Sequence, residues 1–135
     1  MYTSETKIRV RYGETDQMGF AYYGNYAEYY EVARVESLRQ LGMSYKSLEE
    51  KGILLPVYTF SIKYLKPAFY DDELIIKTTM TEIPKARIIF QYETYNAKNE
   101  LLNTGEVVLV FCDKKTMKPV SAPDYFIEKV GKYFK

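Results

Sequence analysis

A lone carboxylate, Asp16, stands in a loop between two glycines, Gly13-Glu14-Thr15-Asp16-Gln17-Met18-Gly19. A tyrosine pair, a glycine and an asparagine follow it, Tyr22-Tyr23-Gly24-Asn25, where a helical pattern begins. A carboxylate placed close to a helix N-terminus can attack a carbonyl or activate water, because the helix end stabilises the negative charge that develops on oxygen. The free N–H groups near Tyr23 and Gly24 would supply that stabilisation, with Gly24 permitting a close backbone approach. Taken alone, an Asp in a glycine-flanked loop reads first as a turn former.

The neighbours carry competing readings. Asn25 reads as the N-cap of the helix, with Glu28 three residues on in a capping-box-like spacing, and its amide could also hold water or substrate. Thr15 reads as a turn stabiliser, whereas Gln17 could contact the reacting group. Tyr22 and Tyr23 either line a pocket or simply pack. Glu31 and Arg34, three apart on the helix, read as a structural ion pair. Cys112 reads as a core residue.

Composition narrows the chemistry. There is no histidine, which removes Ser-His-Asp and Cys-His catalysis and nearly all zinc sites, so no metal site is expected. One cysteine excludes an internal disulfide and fits a reducing compartment. The net charge of +1, with no basic run, gives no reason to expect a nucleic acid. The polar N-terminus lacks the apolar stretch of a signal peptide, and no apolar run reaches membrane-span length, so a cytoplasmic protein without a membrane partner is expected. With 135 residues, 47% of them hydrophobic, the chain suits one domain over 1–135 with a sizeable core.

The elements that must position Asp16 follow from periodicity. Residues 7–11 alternate as a half-buried strand. From Tyr26 to about Leu41 the pattern is helical, with Tyr26, Tyr30, Ala33, Ser37, Leu38 and Leu41 on one side and Gly42 closing it. Ser44 caps a short second helix that ends at Gly52. Four long strands follow, over 54–65, 74–83, 86–95 and 100–113, separated by Pro67, a polar turn at 70–73, Pro84-Lys85 and the hairpin turn Asn96-Ala97-Lys98-Asn99. The last has both faces apolar in its second half, as a covered central strand would. A short helix begins at Pro123-Asp124. Hairpin-length turns give an antiparallel sheet, and one long helix covers only one of its faces, so association through strand edges or the outer face is expected.

Several of these stretches together resemble a known family. Arg11-Tyr12-Gly13-Glu14-Thr15-Asp16-Gln17-Met18-Gly19, Tyr22-Tyr23-Gly24-Asn25-Tyr26, Glu31-Val32-Ala33-Arg34, Tyr64-Leu65-Lys66-Pro67-Ala68 and Asp71-Asp72-Glu73-Leu74 are similar to motifs of the hotdog-fold acyl-CoA thioesterases of the 4-hydroxybenzoyl-CoA thioesterase type. The resemblance covers nearly the whole chain. It implies an α+β hotdog fold, an antiparallel sheet wrapped around one long central helix, with subunits joined edge to edge as homodimers and often as dimers of dimers. It places the catalytic carboxylate at Asp16, as nucleophile or as base for water. It puts Tyr58, Thr59 and Phe60 on the strand facing the partner's site, as pocket wall or as core. Lys66, Lys85 and Arg87, near strand ends, would then meet the phosphates of coenzyme A or remain solvated. Many members have a histidine where Tyr23 stands, so any histidine-dependent step lacks its group here.

The expected activity is hydrolysis of acyl-CoA to a free acid and coenzyme A, with no cofactor beyond the coenzyme A of the substrate. Hydrolysis of acyl groups from acyl carrier protein, a hotdog dehydratase or hydratase, and a non-catalytic acyl-CoA-binding module are the alternatives. The missing histidine counts against the dehydratase.

Overall fold

The computed structural model describes residues 1–134; Lys135, the last residue of the expected 1–135 domain, lies outside the described residues. The chain runs β1 (Tyr2–Arg9), the Asp16 loop, α1 (Tyr26–Gln40), α2 (Tyr45–Glu50), β2 (Ile53–Leu54), β3 (Val57–Tyr64), β4 (Glu73–Met80), β5 (Arg87–Tyr95), β6 (Leu101–Val110), β7 (Cys112–Asp113) and α3 (Asp124–Gly131). Five strands form an antiparallel sheet in the order β1-β4-β5-β6-β3. The strand first in sequence and the first long strand after the helix are therefore its two edges. β2 and β7 pair separately.

The alternating patterns decide which face is inside. On β4, Leu74, Ile76, Thr78 and Met80 are buried, and on β5, Ile88, Phe90, Tyr92 and Thr94 are. α1 lies across this face. Its Tyr30 ring stacks on Tyr92 at 4.1 Å with 6° between planes, and its hydroxyl donates to the Asn103 side chain. The approach is so close that only glycine fits beneath it. A Cβ on Gly105 would overlap the Tyr30 ring and lie 3.0 Å from the Ser61 carbonyl oxygen. Farther along α1, Ser37 carbonyl accepts from the Tyr2 hydroxyl at 2.7 Å, tying the helix to the far edge strand. β6 sits between β5 and β3 with Val107, Val108 and Leu109 buried, as its apolar second half predicts.

Local signals worked where the side chain had one use. Gly42 closes α1 and Gly52 follows α2, with φ of +82° and +84°. Ser44 accepts from the Ser47 N–H at 3.0 Å. The first strand runs over Tyr2–Arg9 rather than 7–11, and three strand expectations were too long, β4 ending at Met80 rather than 83. The 54–65 strand divides at Pro56, whose missing N–H cannot enter the ladder although its carbonyl accepts from the Val110 N–H at 3.1 Å. The 100–113 strand divides at Phe111, which turns to meet Phe126 of α3 edge-on. The Glu31–Arg34 ion pair does not form among the described residues. Arg34 is buried instead, and its Nε donates to the Tyr45 hydroxyl of α2 at 3.0 Å. No helix among the described residues is long and apolar enough to cross a membrane.

Candidate active site

The chain leaves β1 and makes a tight turn over Tyr12–Glu14 before reaching Asp16. Thr15 holds that turn, its hydroxyl donating to the Tyr12 carbonyl at 2.8 Å. Asp16 then folds the loop about itself. Its Oδ1 accepts from the Met18 N–H at 2.9 Å and the Phe20 N–H at 3.2 Å. Its carbonyl accepts from the N–H of Gly19, which has φ +82°. Short polar side chains commonly bond their own backbone two residues on, so the turn-former reading is satisfied by one oxygen. Oδ2 has no hydrogen-bond partner among the described residues, and the half-buried carboxylate opens on a groove.

The groove has a volume of about 290 Å³ and is largely aromatic and apolar. Asp16, Phe20, Tyr23, Tyr26, Tyr64 and Lys66 are among its lining residues. Tyr64, at the end of β3, meets Tyr23 and Tyr26 edge-on at 6.3 and 5.7 Å, and its hydroxyl donates to the Tyr23 carbonyl at 3.0 Å. Burial and then the nearby Tyr64 push the Tyr26 hydroxyl up to about 12. The segment after β3 is fixed to the loop by the Ala21 N–H donating to the Ala68 carbonyl at 2.8 Å.

The helix starts at Tyr26 as its sequence signal indicates, but a tight turn runs into it, which corrects the reading of Asn25. Asn25 already has helical backbone angles, φ −68° and ψ −20°, and makes no side-chain cap bond. A tight turn over Tyr23–Asn25 leads into α1, and the extended residue before it is Tyr22. The Asn25 amide points back instead and donates to the Glu14 carbonyl at 2.6 Å. The capping-box pattern fails because a stronger use of the amide exists: Glu14 O is a fixed acceptor that also takes the Tyr22 N–H at 2.8 Å. Neither the Tyr23 nor the Gly24 N–H has an acceptor among the described residues. These are the orphan donors that a helix start leaves free. A Cβ on Gly24 would sit 2.7 Å from the ring of Tyr22, an exposed side chain that would have to turn aside.

Glu14 was not among the expected site residues, yet it organises the loop. Its carboxylate accepts from the Arg11 N–H at 2.8 Å and from the Tyr29 hydroxyl at 2.9 Å, and pairs with the Arg11 guanidinium at 3.1 Å. Burial alone would raise its pKa, but the Arg11 N–H, the Tyr29 hydroxyl and the Arg11 side chain outweigh it and hold the carboxyl below its ordinary value. The available signal was the Arg11–Glu14 spacing, which marks a turn closed by a charged pair.

The remaining expected residues divide. Asp16, Tyr23 and Lys66 share the groove, whereas Tyr22, Gly24 and Asn25 stand behind it at the helix start. Gln17 is exposed and outside the lining. Tyr58, Thr59 and Phe60 lie on the exposed edge strand β3 and do not line the groove of their own chain. Phe60 packs against Tyr30 at 5.9 Å. Lys66 reaches the Glu100 carboxylate at 2.6 Å, and the Arg87 guanidinium lies 4.7 Å over the Tyr58 ring. Lys85 and Arg87 border a separate surface depression. No cluster of candidate metal ligands is present among the described residues. Tyr64, Leu65 and Pro67 complete the groove and were recognised beforehand only as parts of a motif.

The family model described as the thioesterase-like superfamily matches residues 10–130. A putative acyl-CoA thioesterase of Bacillus subtilis (strain 168) is 35% identical over 120 residues, covering 89% of this chain and 87% of the relative. An acyl-CoA thioester hydrolase of Escherichia coli O6:H1 is 36% identical over 116 residues, covering 86% and 87%. The crystal structure of a DHNA-CoA thioesterase from Staphylococcus aureus superposes with a TM-score of 0.89 at 35% identity, covering 100% of this chain and 97% of that one.

Proposed function

The chain belongs to the thioesterase-like superfamily, and we propose that it hydrolyses the thioester of acyl-CoA to a free acid and coenzyme A with Asp16 as the reacting carboxylate. The observation that carries this is the half-engaged Asp16. One oxygen is locked by two N–H groups and the other is free, in a groove whose wall includes Tyr23 at the helix start. A thioester is already activated, so it needs a nucleophile or activated water and a stabilised oxyanion. Oδ2 either bonds to the carbonyl carbon, expelling the coenzyme A thiolate and leaving an anhydride that water cleaves, or takes a proton from the attacking water. The free N–H groups of Tyr23 and Gly24 receive the negative oxygen. With tyrosine at position 23, the thiolate takes its proton from water rather than from an imidazole.

Gly24 and Asn25 act here through the turn: Gly24 by admitting the Tyr22 ring, Asn25 by its bond to the Glu14 carbonyl. Tyr22 and Gln17, exposed and outside the groove of their own chain, meet substrate only beyond its rim. Lys66 offers positive charge to the phosphates after parting from Glu100, whereas Arg87, beside a separate depression of its own chain, reaches them only from a partner subunit. The reading needs no metal or other cofactor. β3 is an open edge with Val57, Tyr58 and Phe60 exposed, which supports a homodimer joined there, paired into a dimer of dimers, with Tyr58, Thr59 and Phe60 walling the partner's groove. A reducing, cytoplasmic setting suits the single buried thiol.

The test is release of free thiol from a panel of aliphatic and aromatic acyl-CoAs, with the matching acyl carrier protein thioesters beside them. Turnover on the acyl-CoAs is expected. Saturable binding with no thiol release contradicts hydrolysis, and turnover confined to carrier-protein thioesters contradicts the choice of carrier.

A further inference from the structure

We propose that Glu14 is a positioning residue that sets the distance between Asp16 and the helix start. The inference rests on the reading of Asp16 as the reacting carboxylate and adds a residue with no place in it. Glu14 lies two residues before Asp16 and is held from both its ends. Its carbonyl takes the Tyr22 N–H at 2.8 Å and the Asn25 amide at 2.6 Å, the two residues that frame the turn carrying the free N–H groups of Tyr23 and Gly24. Its carboxylate takes the Tyr29 hydroxyl at 2.9 Å, one turn farther along α1, and the Arg11 N–H at 2.8 Å at the exit of β1. A single residue therefore joins the strand end, the loop that bears the carboxylate and the first two turns of the helix.

The connection is built rather than incidental. The Glu14 side chain is only 12% exposed, against 78% for the Arg11 side chain that pairs with it. The guanidinium contact alone, at an exposed arginine, would hold little. The bonds from Tyr29 and the Arg11 N–H are to a charged acceptor in a half-buried place and are the stronger restraints. Tyr29 is itself buried, so its hydroxyl has a fixed origin from which to hold the loop. If the carboxylate is lost, the loop keeps its internal bonds at Asp16 and the Glu14 carbonyl's bonds to Tyr22 and Asn25, but loses its ties to Tyr29 and to the Arg11 N–H. Asp16 then keeps its shape and is held less firmly against α1. Misplacement of a reacting group by about 1 Å can cost on the order of 10²-fold in rate.

The test is steady-state kinetics of thiol release, with thermal melts, for wild type, Glu14→Ala, Glu14→Gln, Tyr29→Phe, Glu14→Gln/Tyr29→Phe and Asp16→Asn. Glu14→Ala is expected to lower kcat by roughly 10²-fold with KM within about threefold of wild type. Glu14→Gln, whose amide oxygen can still accept both the Arg11 N–H and the Tyr29 hydroxyl, falls between wild type and Glu14→Ala. Tyr29→Phe lowers kcat by roughly threefold to tenfold, and the double variant loses more than either single change, because Tyr29→Phe removes a bond that the Glu14→Gln amide oxygen still accepts. If Glu14→Ala does not fold, Tyr29→Phe and Glu14→Gln decide the matter. Folded variants with kcat within twofold of wild type, or losses confined to KM, overturn the proposal. If turnover survives Asp16→Asn, the Asp16 reading fails; if Asp16→Asn is inactive while the Glu14 and Tyr29 variants keep wild-type kcat, only the positioning role fails.

Discussion

Asp16 has two oxygens in different situations. Oδ1 builds the loop and Oδ2 has no partner among the described residues, so on the proposed mechanism the turn former and the reacting group are the same residue. Glu14 supplies a pH test at this scale. Its carboxyl is held below its unfolded value, so its stabilising contribution is full above that value and is lost as pH falls through the folded one. The melting temperature of wild type should therefore exceed that of Glu14→Gln at pH 6, with the gap narrowing on acidification toward pH 3. A gap that widens on acidification would contradict this. Much at this scale was readable from sequence. Asp16 between two glycines, Thr15 at the turn and Gly42 after the helix have local roles that local spacing reveals. Asn25 misled because a good cap residue found a better partner, the Glu14 carbonyl eleven residues earlier. Arg34 misled in the same way, since burial and the Tyr45 hydroxyl overrode its spacing from Glu31.

At the scale of elements, the site depends on α1 lying tightly on the sheet. Tyr30 stacks on Tyr92 directly above Gly105, and the same helix presents Tyr26 to the groove and Tyr29 to the loop, with Tyr23 in the turn that leads into it. Gly105→Ala should destabilise the fold by about 1–3 kcal/mol, because the new methyl has neither a shiftable surface group nor a void to enter. Denaturant midpoints check this, and an unchanged midpoint would mean that the helix can lift without cost. Periodicity made the helix and the strands readable, and Pro56 and Phe111 show where it overran. The groove was not readable as such. Tyr64 and Leu65 meet the Asp16 loop only because β3 ends beside the helix start, and strand order is a property of the sheet rather than of any window of sequence.

At the scale of the molecule, the sheet closes neither edge, and β3 exposes Val57 at 51% and Tyr58 at 60%. An open apolar edge invites pairing, and edge lysines are a common way of preventing it. Sedimentation should find at least twice the chain mass of 15.9 kDa, and Val57→Lys should shift the population toward single chains. Wild type sedimenting as a single chain would contradict the shared-site arrangement. The resemblance foretold the family and the wrapped helix, whereas acyl preference, on the proposed dimer, would follow from how Tyr22, Tyr58 and Phe60 pack across two chains. The most direct test of the whole account is thiol release by Asp16→Asn beside wild type on an acyl-CoA that wild type hydrolyses. The substitution keeps the loop's amide contacts through its carbonyl oxygen and removes the free carboxylate. The account predicts an unchanged melting temperature and a loss in kcat of about 10²–10⁴-fold; a folded Asp16→Asn protein with wild-type turnover would contradict it.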